Sequence, residues 1–231
     1  MSRITVATAD LRRALAAVAP HAAPDDAPSL HRVRLAVGEH NIVASATNGY
    51  SAGIALVSVE DHDGELLTVD LSPTDVKEVL ALFKGSGKPG TEDEIGATLR
   101  LDTDTEHFRV TDTAGLFDGK SLQLPRQPVA DAFPNLLRVA HIAMTRRERP
   151  VDERLVTNGR LLALFRAASA AYARSLALEM TGRNSVLVLS CGEDFLGLLQ
   201  PLRSSDEELA QLRAWRQAWL RRIEEAELVP A

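Results

Sequence analysis

Apolar and polar positions along the chain follow two spacings that recur in a fixed order. Alternating apolar and polar residues, typical of half-buried strands, flank a segment in which Leu11, Leu15 and Val18 fall on one face of a helix. Asp10 is placed to cap that helix and Pro20 to end it. This part of the chain therefore predicts a β-α-β-β-β unit, with its helix over 11–18 and its strands over 4–6, 33–37, 41–47 and 52–59.

The same order of elements returns twice. Ser72 is a predicted N-cap and Pro73 suits the first helical position, so a second helix is predicted over 73–83. A third helix is predicted over 159–171, where leucines cluster on one face. Recurrence of one unit indicates a repeated architecture. The strands of these two units are predicted over 66–71, 97–102, 107–112, 120–124, 154–157, 175–180, 185–191 and 195–201.

Composition narrows the class of protein. The chain has 231 residues, of which 45% are hydrophobic, and a formal net charge of −6, as in an ordinary globular protein. No apolar run reaches the roughly 18–20 residues of a membrane helix, and residues 1–6 do not resemble a signal peptide. A single cysteine, Cys191, excludes an intrachain disulfide and is predicted to lie in a core strand. We therefore expect a cytoplasmic protein that is not associated with membranes.

Patterns that carry catalysis or bind metals are weak in this chain. Residues 85–88 read GSGK, but Leu82 stands where a phosphate-binding loop requires its first glycine, and the segment follows a helix. The acidic run at 102–106 is followed by His107 where a calcium-binding loop requires glycine, so a charged hairpin tip is predicted. The six histidines show no metal-ligand spacing. We expect no enzyme activity, no cofactor and no metal.

Three short segments resemble segments of the bacterial DNA polymerase III beta sliding clamp. Residues 46–50 read ATNGY, residues 133–139 read FPNLLRV and residues 198–203 read LLQPLR. In order and separation they are similar to the A-T-D-G/R-H/Y, F-P-D-Y-R-x-V and M-P-M-R segments of that family. Two departures are Ser51, which replaces an arginine, and Gln200, which replaces a methionine.

The resemblance implies an α+β fold of the DNA-clamp type. A clamp domain consists of two β-α-β-β-β units, with sheets outside and helices toward a central hole, so three units make about one and a half clamp domains. Residues 1–132 should form a complete domain, and 133–203 a partial one that residues 133–139 enter as a crossing strand. Residues 204–231 are expected to form an additional C-terminal amphipathic helix. All three unit helices should lie on the same face of one continuous sheet.

Basic residues recur on the helix of every unit. In a clamp these helices line the hole, where cations meet phosphate oxygens without reading the base sequence. The alternative is that these side chains belong to ordinary solvated helix faces. The residues expected to face DNA are Arg12, Arg13, Lys77, Lys84, Arg160 and Arg166.

The clamp-like segments also imply a partner-binding groove. In the family this groove accepts short peptides of the type Gln-Leu-x-Leu-Phe, and burial of two or three apolar anchors provides the affinity. The alternative is plain packing between strand ends. The groove candidates are Thr47, Gly49, Tyr50, Val139, Leu198, Leu199, Pro201 and Leu202.

The tail carries its own apolar stripe. Residues 204–208 read SSDEE, which is a typical helix start. The stripe could pack on its own chain, pair with a second copy, or cover the groove. Its members lie three or four residues apart: Leu209, Leu212, Trp215, Trp219 and Ile223.

Two functions follow from the resemblance. One is a clamp-like, DNA-associated protein that tethers replication or repair partners, such as polymerases carrying clamp-binding peptides, on duplex DNA. The other is a noncatalytic protein-interaction module that keeps the clamp fold but does not encircle DNA. A homo-oligomer is expected, although the sequence leaves monomer, dimer and ring open.

Overall fold

The computed structural model describes residues 2–84, 97–145, 156–180, 186–203 and 205–225. Eleven strands and six α-helices follow one another in this part of the chain, with a short 3-10 turn at Ala19–His21. In order they are β1 Ser2–Ala7, α1 Thr8–Val18, β2 Val33–Val37, β3 Asn41–Thr47, β4 Ser51–Asp63, β5 Thr68–Leu71, α2 Pro73–Leu82, β6 Thr98–Thr103, β7 His107–Asp112, β8 Ser121–Pro125, α3 Leu136–Thr145, α4 Gly159–Leu164, α5 Arg166–Tyr172, β9 Ala177–Met180, β10 Leu187–Cys191, β11 Phe195–Leu199 and α6 Asp206–Glu225.

One antiparallel sheet joins the three units through β4. Eight strands follow the order β5-β2-β3-β4-β1-β6-β7-β8, and β9, β10 and β11 join at the side. The first part of β4 pairs with β11, from Ser51 opposite Leu199 to Ala55 opposite Phe195. The last part pairs with β1. The length of β4, 13 residues, therefore allows the third unit to share a strand with the first.

A single apolar core lies between this sheet and the unit helices. Leu11 and Leu15 of α1, Val79 of α2 and Ala168 of α5 all belong to the same buried cluster. The corresponding strand residues alternate, as Ala55 and Val57 do in β4. The three unit helices therefore pack on one face of the sheet, as the repeats predicted.

The predicted crossing strand over 133–139 is wrong. The chain forms α3 there, and α3 packs on the opposite face of the sheet from the unit helices. Buried Leu136, Ala140 and Ala143 are four and three residues apart, which is a helical spacing. Asn135 Oδ1 accepts a hydrogen bond from the Arg138 N–H at 2.9 Å and so caps the first turn.

A buried charge cluster fixes the segment that leads into α3. Asp70, whose side chain is fully buried, accepts hydrogen bonds from Arg34 (2.8 and 2.9 Å), from Arg32 (3.0 Å) and from the Ala130 N–H (3.0 Å). Burial raises the pKa of Asp70, but these hydrogen bonds outweigh it and hold the pKa below its usual value. The Arg34 guanidinium also lies 4.5 Å from the centre of the Phe133 ring.

Of the predictions for the unit helices, the cap of α2 is correct, whereas the cap of α1 and the continuity of the third helix are not. Ser72 caps α2 in a capping box with Asp75, as predicted. Asp10 does not cap α1. The helix begins two residues earlier, at Thr8, and its N-cap position is occupied by Ala7. The helix predicted over 159–171 is divided into α4 and α5 at Phe165.

Several predictions fall partly or wholly outside the described residues. The GSGK segment lies wholly outside them. Of the strand predicted over 154–157, the first two residues lie outside them, and the other two, Val156 and Thr157, are described but are not in a strand. Cys191 is buried and free, as expected. The division at residues 132 and 203 stays a prediction.

Candidate functional surfaces

The first clamp-like segment forms a tight turn held by its own side chains. Asn48 Oδ1 accepts from the N–H groups of Tyr50 (3.0 Å) and Ser51 (2.8 Å), and the Thr47 hydroxyl donates to the Ser51 carbonyl (2.8 Å). Gly49 has a positive φ of 86°, a conformation that suits glycine. The turn leaves the Tyr50 ring 67% exposed.

The end of β11 lies directly beside this turn. The Gln200 N–H donates to the Tyr50 carbonyl at 2.8 Å, which continues the pairing of β11 with β4. Leu198, Leu199 and Pro201 are buried, whereas Leu202 is 51% exposed. The structure therefore brings the first and third clamp-like segments together.

The predicted groove residues are not equally available to a partner. Tyr50 and Leu202 are exposed, and Val139 on α3 is 40% exposed. Thr47 and Leu199 are buried beneath the surface and support it. Their assignment to a peptide groove stays a prediction.

Some residues that were not among the predicted site residues lie beneath the turn at 47–51 and the end of β11. His21 is fully buried, and its Nδ1 shares a hydrogen bond with the Ser51 hydroxyl over 3.0 Å. Its ring packs on Phe165 with 4.6 Å between ring centres. Gly53 and Gly197 are paired across β4 and β11, and a side chain at either would collide with His21 or Phe165 respectively.

A signal for this arrangement exists in the sequence. An isolated glycine within a strand marks close approach by another group, and Gly53 and Gly197 both interrupt predicted strands.

Burial also lowers the pKa of His21 to about 4, so the ring is neutral at physiological pH.

The six basic residues predicted to face DNA divide into two groups. Arg12 lies between α1 and α2, where its guanidinium donates to the carbonyls of Leu80 (2.6 Å) and Phe83. Burial lowers the pKa of Arg12. Arg13 forms an ion pair with Asp10. The remaining four have exposed side chains: Lys77, Lys84, Arg160 and Arg166.

The predicted tail helix is present as α6. Ser205 and Glu208 form a capping box at its start: the Ser205 N–H donates to the Glu208 carboxylate at 2.8 Å, and the Glu208 N–H donates to the Ser205 hydroxyl at 3.2 Å. Trp215 and Trp219 are 60% and 45% exposed, with 6.2 Å between their ring centres. Half-buried positions complete the predicted stripe: Leu209, Leu212 and Ile223.

Among the described residues, no group of three or more His, Cys, Asp or Glu side chains is placed to hold a metal ion. No helix within the described ranges is long and apolar enough to span a bilayer.

Comparison with known proteins matches this fold to one class. No protein-family model matches the sequence, and no curated protein matches it significantly. Among solved structures, the DNA polymerase III beta subunit of Thermotoga maritima matches with a TM-score of 0.60 and 15% identity, over 89% of this chain and 66% of that chain. The sliding clamp of Pseudomonas aeruginosa bound to griselimycin gives a TM-score of 0.63 and 12% identity, over 87% and 65% of the two chains.

These matches confirm the resemblance at the level of the fold. The beta subunit of Streptococcus pyogenes gives similar values, a TM-score of 0.60 and 12% identity over 87% of this chain. The chain has the fold of the bacterial sliding clamps. It spans 65–66% of the length of these three clamps.

Proposed function

We propose that this chain is a noncatalytic, clamp-like protein of the bacterial cytoplasm that associates with duplex DNA and holds replication or repair partners there. One observation carries the proposal: the unit helices form a layer on one face of the sheet. These helices carry three exposed cations, namely Lys77, Arg160 and Arg166, and a fourth, Lys84, lies two residues after the end of α2. The clamp fold of the solved relatives supports the same conclusion by analogy.

The charge distribution predicts the kind of DNA binding. Contacts between these cations and phosphates release counterions, so binding should be independent of sequence and should weaken steeply with salt. Arg12 is held by backbone carbonyls and Arg13 by Asp10. We therefore expect both to contribute less than the four exposed residues. The net charge of −6 predicts weak binding by a single chain.

Duplex binding by matched double variants tests this proposal. Lys77→Ala with Arg166→Ala removes two cations from the helix layer. The control, Arg109→Ala with Arg138→Ala, removes two exposed cations from other elements. Arg109 lies between the core residues Phe108 and Val110 on β7, so its side chain is on the sheet face away from the unit helices. Arg138 is carried by α3, which packs on that same face.

The salt dependence gives the decisive readout. Because each phosphate contact adds about 0.9 to the slope of log K against log salt, the first pair should lower that slope by about 2. The control pair should leave it unchanged. If the two pairs have equal effects, or if the wild-type chain binds no duplex at low salt, DNA association by the helix layer is excluded.

A second candidate function is a docking module that never contacts DNA. Tyr50 and Leu202 are both exposed, on segments joined by the hydrogen bond from the Gln200 N–H to the Tyr50 carbonyl, and this supports the module because exposed apolar side chains can anchor a short peptide. A Gln-Leu-x-Leu-Phe peptide should bind the wild type. Leu202→Ala should weaken that binding about tenfold, and Leu116→Ala, at an exposed leucine of the β7–β8 loop, should not. Equal affinities in both variants would exclude this surface.

A further inference from the structure

One face of α6 carries an acid, apolar residues and a base in a symmetric order. Glu208, Trp215 and Arg222 are seven residues apart, so the three side chains lie on the same face of the helix. Leu212 and Trp219 lie between them at spacings of three and four residues. Trp215 therefore stands midway between a negative and a positive charge, each about 10 Å away along the helix axis.

The same face borders a groove on the body of the protein. Between α6 and the residues after β11 is a cavity of about 590 Å³, lined on the body by Val156 and Leu202 and on the helix by Glu208, Leu212 and Trp215. A space of this volume can accommodate a large apolar side chain. Two tryptophans that are about half exposed on one helix form an apolar surface of the kind that marks a protein contact.

The charges on α6 select the direction of a partner helix. Glu208 lies in the first turn within the capping box, and Arg222 lies in the last turn with its guanidinium 5.4 Å from the centre of the Trp219 ring. Two such helices side by side in parallel would place acid against acid and base against base. In the antiparallel arrangement each acid faces a base. The two helix dipoles also point in opposite directions, which is favourable.

We propose that two copies of this chain pair through α6 in antiparallel orientation, about a twofold axis at Trp215. Glu208 of each copy then faces Arg222 of the other. In the same register Trp219 of the second copy lies opposite Gln211, next to Leu212, and enters the groove beside Val156 and Leu202. The groove and the exposed tryptophans thus complete one isologous interface.

The area available suits a weak, reversible dimer. A tryptophan buries about 150–250 Å² when it is fully enclosed. Because Trp215 and Trp219 are 60% and 45% exposed in the single chain, the four tryptophans of the pair can add roughly 300–500 Å². Leu212 from each helix and the groove residues Val156 and Leu202 add to this. The total lies in the range of weak, reversible interfaces, below about 1,200 Å². This inference does not depend on DNA binding.

Charge exchange in the full-length chain tests both the pairing and its direction. We expect the wild type to sediment as a dimer of the 25.0 kDa chain. Glu208→Arg alone and Arg222→Glu alone should each raise the dimer dissociation constant at least tenfold at low salt. The variant that carries both changes should recover to within about threefold of the wild type. Circular dichroism of each variant checks that α6 remains helical after the change at the capping box.

A matched apolar pair tests the face of the helix. Trp219→Ala should raise the dissociation constant at least tenfold. Leu220→Ala, at a residue of similar exposure that lies about 100° further around the helix, should change it less than threefold. A wild-type chain that stays monomeric at 100 μM, a double charge variant that fails to recover, or equal effects of the two apolar variants would each overturn the proposal.

Discussion

Gly197 offers the most direct test of how the third unit joins the first. Changing it to alanine adds a Cβ that would overlap Phe165 Cε1, lie 2.8 Å from Phe165 Cδ1 and lie 3.2 Å from Leu189 Cβ. Real Cβ atoms essentially never come within 3.0 Å of a non-bonded heavy atom from another part of the chain. The ring or the strand must therefore move.

The surroundings of Phe165 leave little room for that movement. The ring is fully buried, with its centre 4.6 Å from that of His21 and 6.5 Å from that of Phe195. His21 is itself held by a hydrogen bond with the Ser51 hydroxyl. Overpacking of a well-filled core typically destabilises by about 1–3 kcal/mol, and we expect Gly197→Ala to lie near 3 kcal/mol because no flexible side-chain end can give way.

Equilibrium unfolding in urea measures the effect through the transition midpoint at constant slope. Gly159→Ala is the matched control, since a Cβ there meets no atom within 4 Å at the start of α4. It should be neutral or should stabilise by up to about 1 kcal/mol. In a Phe165→Leu background, where the colliding ring edge is absent, Gly197→Ala should lose most of its effect.

Two results would refute this reasoning. One is a Gly197→Ala protein within about 0.5 kcal/mol of the wild type. The other is a loss of stability that persists unchanged in the Phe165→Leu background, since the strain would then lie elsewhere than at this contact.

Three other predictions concern stability, each measured by denaturant unfolding. Because the folded pKa of His21 is about 4 and the unfolded value 6.5, the unfolded chain binds its proton first as pH falls. Stability should decrease by about 3 kcal/mol between pH 6.5 and 4, and His21→Gln should flatten that slope; an unchanged slope would contradict the assignment. Arg12→Ala should destabilise by about 2–3 kcal/mol through loss of its carbonyl contacts, whereas Arg13→Ala should stay below about 1 kcal/mol; equal losses would contradict this. Ser72→Ala should lose about 1 kcal/mol of helix capping, against little for Thr74→Ala in the same turn, and similar values would show that the cap is unimportant.

The sequence could predict most elements because their determinants are local. Alternation in β2 and β7 and the capping residue Ser72 act over a few residues, and the structure confirms each of them. The same local physics explains the error at residues 133–139. The likeness to the clamp segment favoured a strand there, but the chain's own spacing of Leu136, Ala140 and Ala143 is helical and prevails.

The candidate surfaces depend on contacts between distant parts of the chain, so only the tertiary structure could decide them. Two basic residues adjacent in sequence have different environments, because Arg12 reaches the end of α2 while Arg13 pairs with Asp10 on its own helix. Helical periodicity alone cannot separate these two cases.

By itself, the sequence determined the repeated units, their core faces and the amphipathic tail, because hydrophobic periodicity reports which side of an element is buried. The tertiary structure decided that β4 is shared by β1 and β11, and that Gly53 and Gly197 face each other where His21 and Phe165 need space. Strand partners are selected by packing among residues far apart in the chain, and periodicity carries no information about which of the possible edges will meet.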